Sequence, residues 1–361
     1  MNISIKGAYG DSNFGDDLLM IVFEDFIHAN IKNRTLNFIG SENNYVSKFL
    51  NDSSYNNGQK DDLLVYGGGT QFFSFIEKST LRTKLKNNIS NNPVKILKKV
   101  FQKMSSNNKA VIKSEKAFLG FGLGPFNNNI QAIEFAKNQL KDSLFTGVRD
   151  QVSFGYCNDW NIKSFLGADV VFSSYFHKYV QNVPQTQTVG SNKIGIIVRD
   201  WDWKNSPADY QDQLINFVSS NPHLDVTFIV FAKDKDPKWM KRIQNYKSIV
   251  WNPEAMEIND FIKILNSFST FITARYHGAI IAGLLGKKVI CVEIEPKLRI
   301  LTEQIPSFAL WDDSFNIDKL NDLIESDLEN DHQKYIEDLR SKADNMLNQF
   351  VKIYNSKFNG E

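Results

Sequence analysis

Three side chains that could do chemistry lie close together in the second half of this 361-residue chain: Arg275, His277 and Lys297. Arginine and lysine bind anionic groups, and histidine exchanges protons near neutral pH. A short β-rich run, 268–274, ends just before Arg275, and an apolar run, 288–294, ends just before Lys297. The small apolar residues between the two runs indicate a helix, so the segment is predicted to fold as strand, helix and strand.

The predicted strand–helix–strand unit determines where these three side chains should lie. A unit this short implies two parallel strands joined by a right-handed crossover. The carboxyl ends of parallel strands lie on one edge of the sheet, where ligands bind in open α/β folds. The helix N-terminus after Arg275 also favours anions. We therefore expect an anion-binding site at this edge, with His277 as a proton-transfer group. The alternative is that each side chain lies in an ordinary loop.

A polar loop near the N-terminus follows the first predicted strand, 2–8. Asn13, Gly15 and Asp16 lie where this loop meets a predicted helix, 16–29. No Lys-Ser/Thr pair follows the second glycine, so the loop is not a Walker A phosphate loop. Two interpretations stay open: a backbone cradle for a ligand at the helix N-terminus, or a tight turn with Asp16 as the helix cap.

Two further strand ends in the first half carry candidate ligand-binding groups. Three consecutive glycines, Gly67, Gly68 and Gly69, follow a strongly apolar predicted strand. Because glycine has no Cβ, this turn would let the backbone approach a ligand or a helix closely. Arg149 ends another predicted strand, in a position like that of Arg275. We therefore expect these residues to contribute to substrate binding.

The second half begins with a predicted strand, 194–199, that ends in Arg199. Asp200, Trp201 and Trp203 follow this strand end. Aromatic rings at such a rim could stack on a sugar, because they present a large apolar face with a polar edge. The alternative is that the two tryptophans pack locally. Arg199 and Trp201 are accordingly predicted to bind substrate.

Strands and helices alternate in both halves of the chain. This alternation predicts an α/β protein of two doubly wound Rossmann-like domains that face a cleft, as in GT-B-like proteins. We expect the first domain at 1–180, with a basic insertion at 71–113, and the second at 190–330, carrying the Arg-Tyr-His site. The polar stretch 176–192 is predicted as the linker. A helix within 331–361 is expected to cross back to the first domain.

Composition excludes several classes of function. The formal net charge is +1, which gives no argument for a nucleic-acid partner. Cys157 and Cys291 lie in apolar contexts, which is typical of a reducing compartment without disulfides. No apolar run approaches the roughly 18 residues that a membrane span needs. The five histidines are scattered, so no metal site is predicted. We therefore expect a cytoplasmic protein.

The motifs together resemble a known family. The run ARYHGAIIAGLLGKKV, followed by EPK, is similar to the signature of the polysaccharide pyruvyl transferases, [ST]-x-[RK]-x-H-x-x-x-x-A with a trailing Asp-x-Lys. GAYGDSNFGDDLL near the N-terminus, the three glycines and TGVRDQVSFGYC are similar to further family segments. These segments occur in the family's order and cover most of the chain. Glu295 stands where members often have Asp, two residues before Lys297.

The resemblance implies an activity and a set of roles. The family transfers the enolpyruvyl unit of phosphoenolpyruvate to two hydroxyls of one sugar, giving a cyclic pyruvate ketal and phosphate. It does so in the biosynthesis of bacterial capsule and other cell-surface polysaccharides. By resemblance, Arg149, Arg275, His277 and Lys297 form the donor site, with phosphoenolpyruvate as donor substrate and no cofactor. His277 would act as an acid or a base, and Lys297 would stabilise the departing phosphate.

Other functions stay open at this point. A nucleotide-sugar-dependent glycosyltransferase of GT-B architecture would bind a nucleoside diphosphate with basic residues of the second domain. A binding protein without catalytic activity is the third possibility, although the Arg, His and Lys residues of the motif are all present. For a pyruvyl transferase, the sugar acceptor is expected to be linked to a lipid or a nucleotide.

A basic segment, 78–113, lies within the predicted insertion. Apolar residues at helical spacing alternate there with Lys95, Lys98, Lys99 and Lys103. A basic amphipathic helix can lie in a membrane interface with its lysines on anionic head groups. Three interpretations stay open: a helix that packs on the first domain and exposes its lysines to water, a peripheral contact with the inner face of the cell membrane, and a contact with a protein partner.

Overall fold

The computed structural model describes residues 1–75, 114–181, 192–201, 210–312, 314–326 and 332–360. The first half of the chain, up to residue 181, builds one parallel sheet, in the order β3-β2-β1-β4-β6-β7-β8 with β5 paired to β6. Its strands are β1 (Asn2–Lys6), β2 (Thr35–Ile39), β3 (Ser54–Tyr55), β4 (Leu63–Gly67), β5 (Thr70–Phe72), β6 (Glu115–Leu123), β7 (Phe145–Val148) and β8 (Phe165–Leu166).

The second half, 192–326, builds a second parallel sheet, in the order β11-β10-β9-β12-β13-β14. Its strands are β9 (Lys193–Val198), β10 (Asp225–Val230), β11 (Ser248–Val250), β12 (Thr270–Thr273), β13 (Lys288–Val292) and β14 (Ala309–Trp311). In each sheet the chain winds outwards in one direction and then in the other. The order therefore reverses between β1 and β4 and again between β9 and β12. Such a reversal opens a crevice at the carboxyl ends of the strands, where ligands bind.

Helices connect the strands and cover the sheets. They are α1 (Phe14–Asn30), α2 (Val46–Phe49), α3 (Ile130–Leu140), α4 (Gln151–Asp159), α5 (Ser174–Gln181), α6 (Tyr210–Ser220), α7 (Pro237–Arg242), α8 (Ile258–Asn266), α9 (Tyr276–Leu284), α10 (Pro296–Gln304), α11 (Ile317–Glu325) and α12 (Gln333–Phe358). A 3₁₀ turn spans Val170–Phe172. The predicted fold class, α/β with two doubly wound Rossmann-like sheets, is confirmed. Among the described helices, none is both long and apolar enough to cross a bilayer.

Two local predictions differ from the structure. The first helix begins at Phe14, and Asn13 rather than Asp16 is its cap. Helix α5 runs to Gln181, inside the stretch that was predicted as the linker, because Phe176 and Val180 are buried on one helical face. The basic segment 78–113 lies outside the described residues.

The last helix, α12, packs against the first sheet. Met346 lies against Gly147 and Gly167, where a Cβ would come within 2.7 Å of the methionine Cγ and Cβ, respectively. Phe350 contacts the ring of Phe145 at a centroid distance of 5.9 Å. The small residues of the first sheet thus make room for the large side chains of the helix, which buries apolar surface from both.

The N-terminus of α1 joins the two halves of the molecule. The Phe14 N–H donates to the Phe231 carbonyl at 3.0 Å, and the Phe14 ring lies within 5.0 Å of the rings of Phe231 and Trp251. Asp17 is fully buried and accepts hydrogen bonds from Trp251 Nε1 at 2.8 Å and from the Tyr45 hydroxyl at 2.9 Å. Burial raises the pKa of Asp17 to about 7. These contacts hold the N-terminus of α1 against the second half of the molecule, at the edge of the crevice.

We expect Trp251→Phe to lower the free energy of unfolding by about 1–3 kcal/mol, because it leaves a buried oxygen of Asp17 without a donor. Chemical denaturation measures this change. In an Asp17→Ala background the same substitution should cost less, since the hydrogen bond is already absent. Equal costs in the two backgrounds would contradict the proposed contribution of this hydrogen bond.

Candidate active site

A cavity of about 440 Å³ lies between the carboxyl edges of the two sheets. Loops that follow β1, β4 and β7 of the first sheet and β9, β12 and β13 of the second contribute to its lining. The structure brings every predicted site residue to this cavity: Asn13, Gly15, Asp16, Gly67, Gly68, Gly69, Arg149, Arg199, Trp201, Arg275, His277, Glu295 and Lys297.

Four helices, α1, α4, α9 and α10, begin at the cavity. The cap of α1 is Asn13, whose side chain accepts a hydrogen bond from the Gly15 N–H at 3.3 Å and donates one to Asp16 Oδ2 at 2.6 Å. The cap of α4 is Asp150, which accepts from the Ser153 N–H at 2.8 Å. Because the first N–H groups of a helix carry partial positive charge, four such ends favour an anionic ligand.

The three glycines form a turn that only glycine adopts readily. Gly68 and Gly69 have φ angles of +67° and +70°, in the left-handed region. A Cβ at Gly68 would come within 2.7 Å of the Leu19 side chain, whereas no described atom lies within 4 Å of a Cβ built at Gly69. The turn therefore holds Gly68 against helix α1 and leaves room beside Gly69 for a ligand.

His277 lies in the first turn of α9 and reaches across to the first half of the molecule. Its Nε2 lies 3.5 Å from the carboxylate Oδ2 of Asp169. The Nδ1 edge of the ring faces Gly15, where a Cβ would lie 2.9 Å from the imidazole Cγ and closer still to Nδ1. The side chain is 12% exposed. A histidine from the second half is thus held between two elements of the first half.

Asp169 is a buried carboxylate that caps the 3₁₀ turn after β8. Its Oδ1 accepts from the Val171 N–H at 3.1 Å, and its Oδ2 accepts from Arg149 Nη1 at 3.2 Å. Burial alone would raise the pKa of Asp169, but the nearby charges of His277 and Arg149 hold the pKa below its ordinary value. Asp169 therefore remains ionised beside the histidine.

Arg149 is buried beneath the cavity and engaged on several sides. Its guanidinium lies 4.3 Å from the ring centroid of Tyr276, which is a cation–π contact. Nη2 donates to Thr70 Oγ1 at 2.8 Å, in addition to the bond to Asp169. Gly122 lies beside the guanidinium, since a Cβ there would come within 2.9 Å of Nη2. This positive charge is fixed in place before any ligand binds.

Arg275 is held in a similar way in the second half. Its Nη2 forms an ion pair with Asp236, a fully buried carboxylate that follows β10. Its Nε donates to the carbonyl of Val198 at 3.2 Å. Asp236 also accepts from the Asp200 N–H at 2.9 Å. Arg275 thus connects the ends of β9, β10 and β12 while it lines the cavity.

The cations Arg199 and Lys297 share one buried carboxylate, Glu295. Glu295 Oε1 forms an ion pair with Arg199 Nη1 and lies 2.9 Å from Lys297 Nζ. The two basic side chains are 23% and 25% exposed, against 3% for Arg149 and 9% for Arg275. They are therefore the more accessible of these four cations.

Burial and neighbouring charges determine the ionisation of Glu295 and Lys297. Burial lowers the pKa of Lys297 to about 8, with the attraction of Glu295 opposing this shift. For Glu295, burial would raise the pKa, but the charges of Arg199 and Lys297 hold it below its ordinary value. A carboxylate and a lysine that loses its proton just above neutral pH thus lie side by side in the cavity.

Comparison with known families identifies the chain's family. Residues 13–296, more than three quarters of the chain, match the model of the family described as polysaccharide pyruvyl transferase. The chain belongs to the polysaccharide pyruvyl transferase family. A family member of this kind has a pyruvate donor and a sugar acceptor. No curated protein matches the sequence.

Solved structures similar to this chain share its fold. The UDP-GlcNAc 2-epimerase of Methanocaldococcus jannaschii, in complex with UDP-GlcNAc and UDP, aligns with a TM-score of 0.57 at 11% identity over 99% of this chain and 100% of its own. The corresponding epimerase of Rickettsia bellii aligns with a TM-score of 0.57 at 9% identity over 100% and 99%. Anabaena HepE, in complex with UDP-glucose, aligns with a TM-score of 0.54 at 13% identity over 99% and 100%. These likenesses concern the fold alone.

Sequence reasoning missed two residues that shape the cavity, Asp169 and Asp236, and it missed the contact that Tyr276 makes. Asp169 follows β8 and Asp236 follows β10, at the same carboxyl edges as the predicted cations. The strand-end rule could therefore have found them. Tyr276 lies between the two predicted residues Arg275 and His277 and is buried against Arg149. No sequence pattern indicated that contact, because it joins different halves of the chain.

Trp201 at the rim of the cavity packs locally, which is the alternative left open by the sequence. Trp201 is 7% exposed, and the Arg199 guanidinium lies 4.4 Å from its ring centroid. Phe75 contacts its edge at 5.0 Å. Phe73 and Val152, by contrast, are exposed apolar side chains in the cavity lining. Trp203 lies outside the described residues, and sugar stacking by Trp201 stays a prediction.

Proposed function

We propose that the protein transfers the enolpyruvyl group of phosphoenolpyruvate to two hydroxyls of one sugar residue, forming a cyclic pyruvate ketal and releasing phosphate. The reaction would serve the biosynthesis of a bacterial cell-surface polysaccharide. One observation supports this most strongly: Arg149, Arg199, Arg275 and Lys297 line one cavity together with His277. A donor with both a phosphate and a carboxylate needs several cations, and arginine suits both groups.

The four cations of the cavity would have different roles in binding the donor. Arg199 and Lys297 are the more exposed, so we propose that they meet the phosphate directly, beside the N-terminus of α10. Arg149 and Arg275 lie deeper and are held by Asp169 and Asp236, so they would bind the donor as fixed charges with no reorganisation.

The proposed reaction needs two proton transfers. Protonation of the methylene carbon makes C2 of the donor cationic, and one sugar hydroxyl then forms the first C–O bond and loses its proton. The second hydroxyl forms the other C–O bond to C2 while the bond from C2 to the phosphate oxygen breaks. The two sugar hydroxyls together lose two protons. One proton replaces the proton that the methylene carbon took up, and the other leaves with the phosphate. We propose that His277 moves one of these protons and that Lys297 stabilises the departing phosphate.

The reaction is tested by its products. Purified protein, phosphoenolpyruvate and a sugar acceptor should give free phosphate and a sugar whose mass has risen by one pyruvate less one water. Hydrolysis of phosphoenolpyruvate without acceptor would not give that mass gain. If the protein instead releases a nucleoside diphosphate from a sugar nucleotide, the glycosyltransferase alternative is correct.

We expect kcat/KM for phosphoenolpyruvate to fall above about pH 8, where Lys297 loses its proton and its attraction for phosphate. The decline should approach tenfold per pH unit, as for one essential ionisation. In the Lys297→Arg variant the plateau should extend to higher pH, because arginine stays charged. A wild-type profile that is flat through about pH 9.5, or the same decline in the variant, would exclude this role.

The carrier of the acceptor and the membrane contact are proposals that rest on the sequence. We propose an acceptor linked to a lipid or a nucleotide, and peripheral attachment through the basic segment 78–113, which lies outside the described residues. Co-sedimentation with anionic vesicles at low salt tests the attachment. It should be lost when Lys95, Lys98, Lys99 and Lys103 are all replaced by Gln. Failure of the unmodified protein to co-sediment would exclude it.

A further inference from the structure

The two ring nitrogens of His277 have different surroundings. Nε2 is buried and makes no well-aligned hydrogen bond with the described residues, yet the Asp169 carboxylate lies 3.5 Å away. Nδ1 lies on the edge that faces Gly15 and the start of α1, and it forms no hydrogen bond to the described part of the chain. A buried nitrogen lone pair that faces a carboxylate is unfavourable, whereas an N–H that faces it is stabilised.

The carboxylate of Asp169 is suited to stabilise an N–H on Nε2 of His277. It is fully buried, and its two oxygens are fixed by Arg149 Nη1 at 3.2 Å and by the Val171 N–H at 3.1 Å. Its orientation therefore does not depend on His277. The described part of the chain also places the ring of Tyr276 beside the imidazole, at a centroid distance of 5.6 Å, and the backbone of Gly15 against its Nδ1 edge.

We propose that Asp169 is the positioning residue for His277. It holds the neutral imidazole in the tautomer with the proton on Nε2, and Nδ1 is then the atom that exchanges a proton with the substrate. Asp169 belongs to the first half and His277 to the second, so the pair forms only when the two halves pack as they do here. The kinetic part of this inference rests on the proposed pyruvyl transfer, whereas the tautomer is a property of the protein without substrate.

The tautomer is measured directly by two-bond proton–nitrogen correlation spectra of isotope-labelled protein, at a pH where the imidazole is neutral. The signals of His277 are those that disappear in His277→Ala. In the wild type we expect the proton on Nε2. In Asp169→Asn, which removes the negative charge beside Nε2 and so weakens the preference for an N–H there, the population should shift towards the tautomer with the proton on Nδ1.

Kinetics of Asp169→Asn give the second readout. We expect kcat at saturating donor to fall about 10²-fold or more, with KM for phosphoenolpyruvate within about threefold. Asp236→Asn is the matched control, because Asp236 is an equally buried carboxylate that pairs with a cavity arginine but does not contact His277. That variant should raise KM and leave the tautomer of His277 unchanged.

Either of two results would overturn the inference. One is a wild-type spectrum in which neutral His277 carries its proton on Nδ1. This measurement is made on the wild type, so it remains decisive even if Asp169→Asn does not fold. The other is a folded Asp169→Asn protein that keeps the wild-type tautomer and kcat. If phosphoenolpyruvate is not a substrate, the proposed function fails, and the tautomer measurement still decides whether Asp169 orients the histidine.

Discussion

Replacing His277 with alanine is expected to lower kcat by about 10²–10⁴-fold while the Kd for phosphoenolpyruvate stays within a few-fold. The imidazole moves a proton in the proposed reaction, whereas the charge that attracts the donor comes from the arginines and the lysine. Phosphate release gives kcat, and calorimetric titration gives Kd. Arg275→Ala should show the opposite pattern, with Kd raised about tenfold or more, because it removes a charge-assisted contact. Arg149→Ala should raise Kd in the same way and should also lower kcat, because Arg149 holds the Asp169 carboxylate that positions His277.

The exposed His223 provides the control for this series. It lies on the surface after α6, outside the cavity lining, so His223→Ala should keep wild-type kcat and Kd. Thermal unfolding of all four variants separates a loss of fold from a loss of chemistry. Wild-type turnover in His277→Ala would refute the assignment of proton transfer to this residue.

Gly15→Ala is the second substitution from which we expect a large loss, about 10²-fold in kcat. Gly15 lies in the first turn of α1 without a positive φ angle, so the backbone tolerates alanine, which also favours the helix. The added Cβ would, however, overlap with the imidazole of His277. The ring must then leave its position between Gly15 and Asp169, and such a displacement of a proton-transfer group is costly for the rate.

Gly155→Ala is the matched control for this substitution. Gly155 lies in helix α4, and no described atom lies within 4 Å of a Cβ built there. Gly155→Ala should be at least as stable as the wild type, whereas Gly15→Ala should remain folded with a stability reduced by about 1–3 kcal/mol because of the overlap. Only Gly15→Ala should lose activity. Full activity in a stable Gly15→Ala protein would show that the position of His277 against α1 does not matter for the reaction.

Local sequence patterns were sufficient to predict the fold class and to predict that the named cations lie at the carboxyl edges of the sheets. Alternating apolar strands and amphipathic helices specify parallel sheets, and the crossover rule then directs every strand end to one edge. Arg149, Arg199, Arg275 and Lys297 could be placed at that edge because each follows a strand directly. This reasoning needs no knowledge of how the two halves pack.

Contacts between distant segments could not be predicted in this way. Asp169 meets His277 only because the two sheets face each other, and the ion pair between Arg275 and Asp236 joins loops from different strands. Short strands such as β3 and β14 are stabilised by their neighbours in the sheet rather than by their own sequence. The cap of α1 depends on which side chain reaches the first N–H groups, and Asn13 rather than Asp16 does so.

One measurement tests the central claim most directly: the products formed from phosphoenolpyruvate and a panel of nucleotide-linked and lipid-linked sugars. We predict that phosphate appears only with a suitable acceptor, in equal amount to a sugar product that carries a pyruvate ketal, and that His277→Ala slows the formation of both by about 10²–10⁴-fold. Release of a nucleoside diphosphate from a sugar nucleotide, with phosphoenolpyruvate left unconsumed across the whole panel, would contradict the proposal.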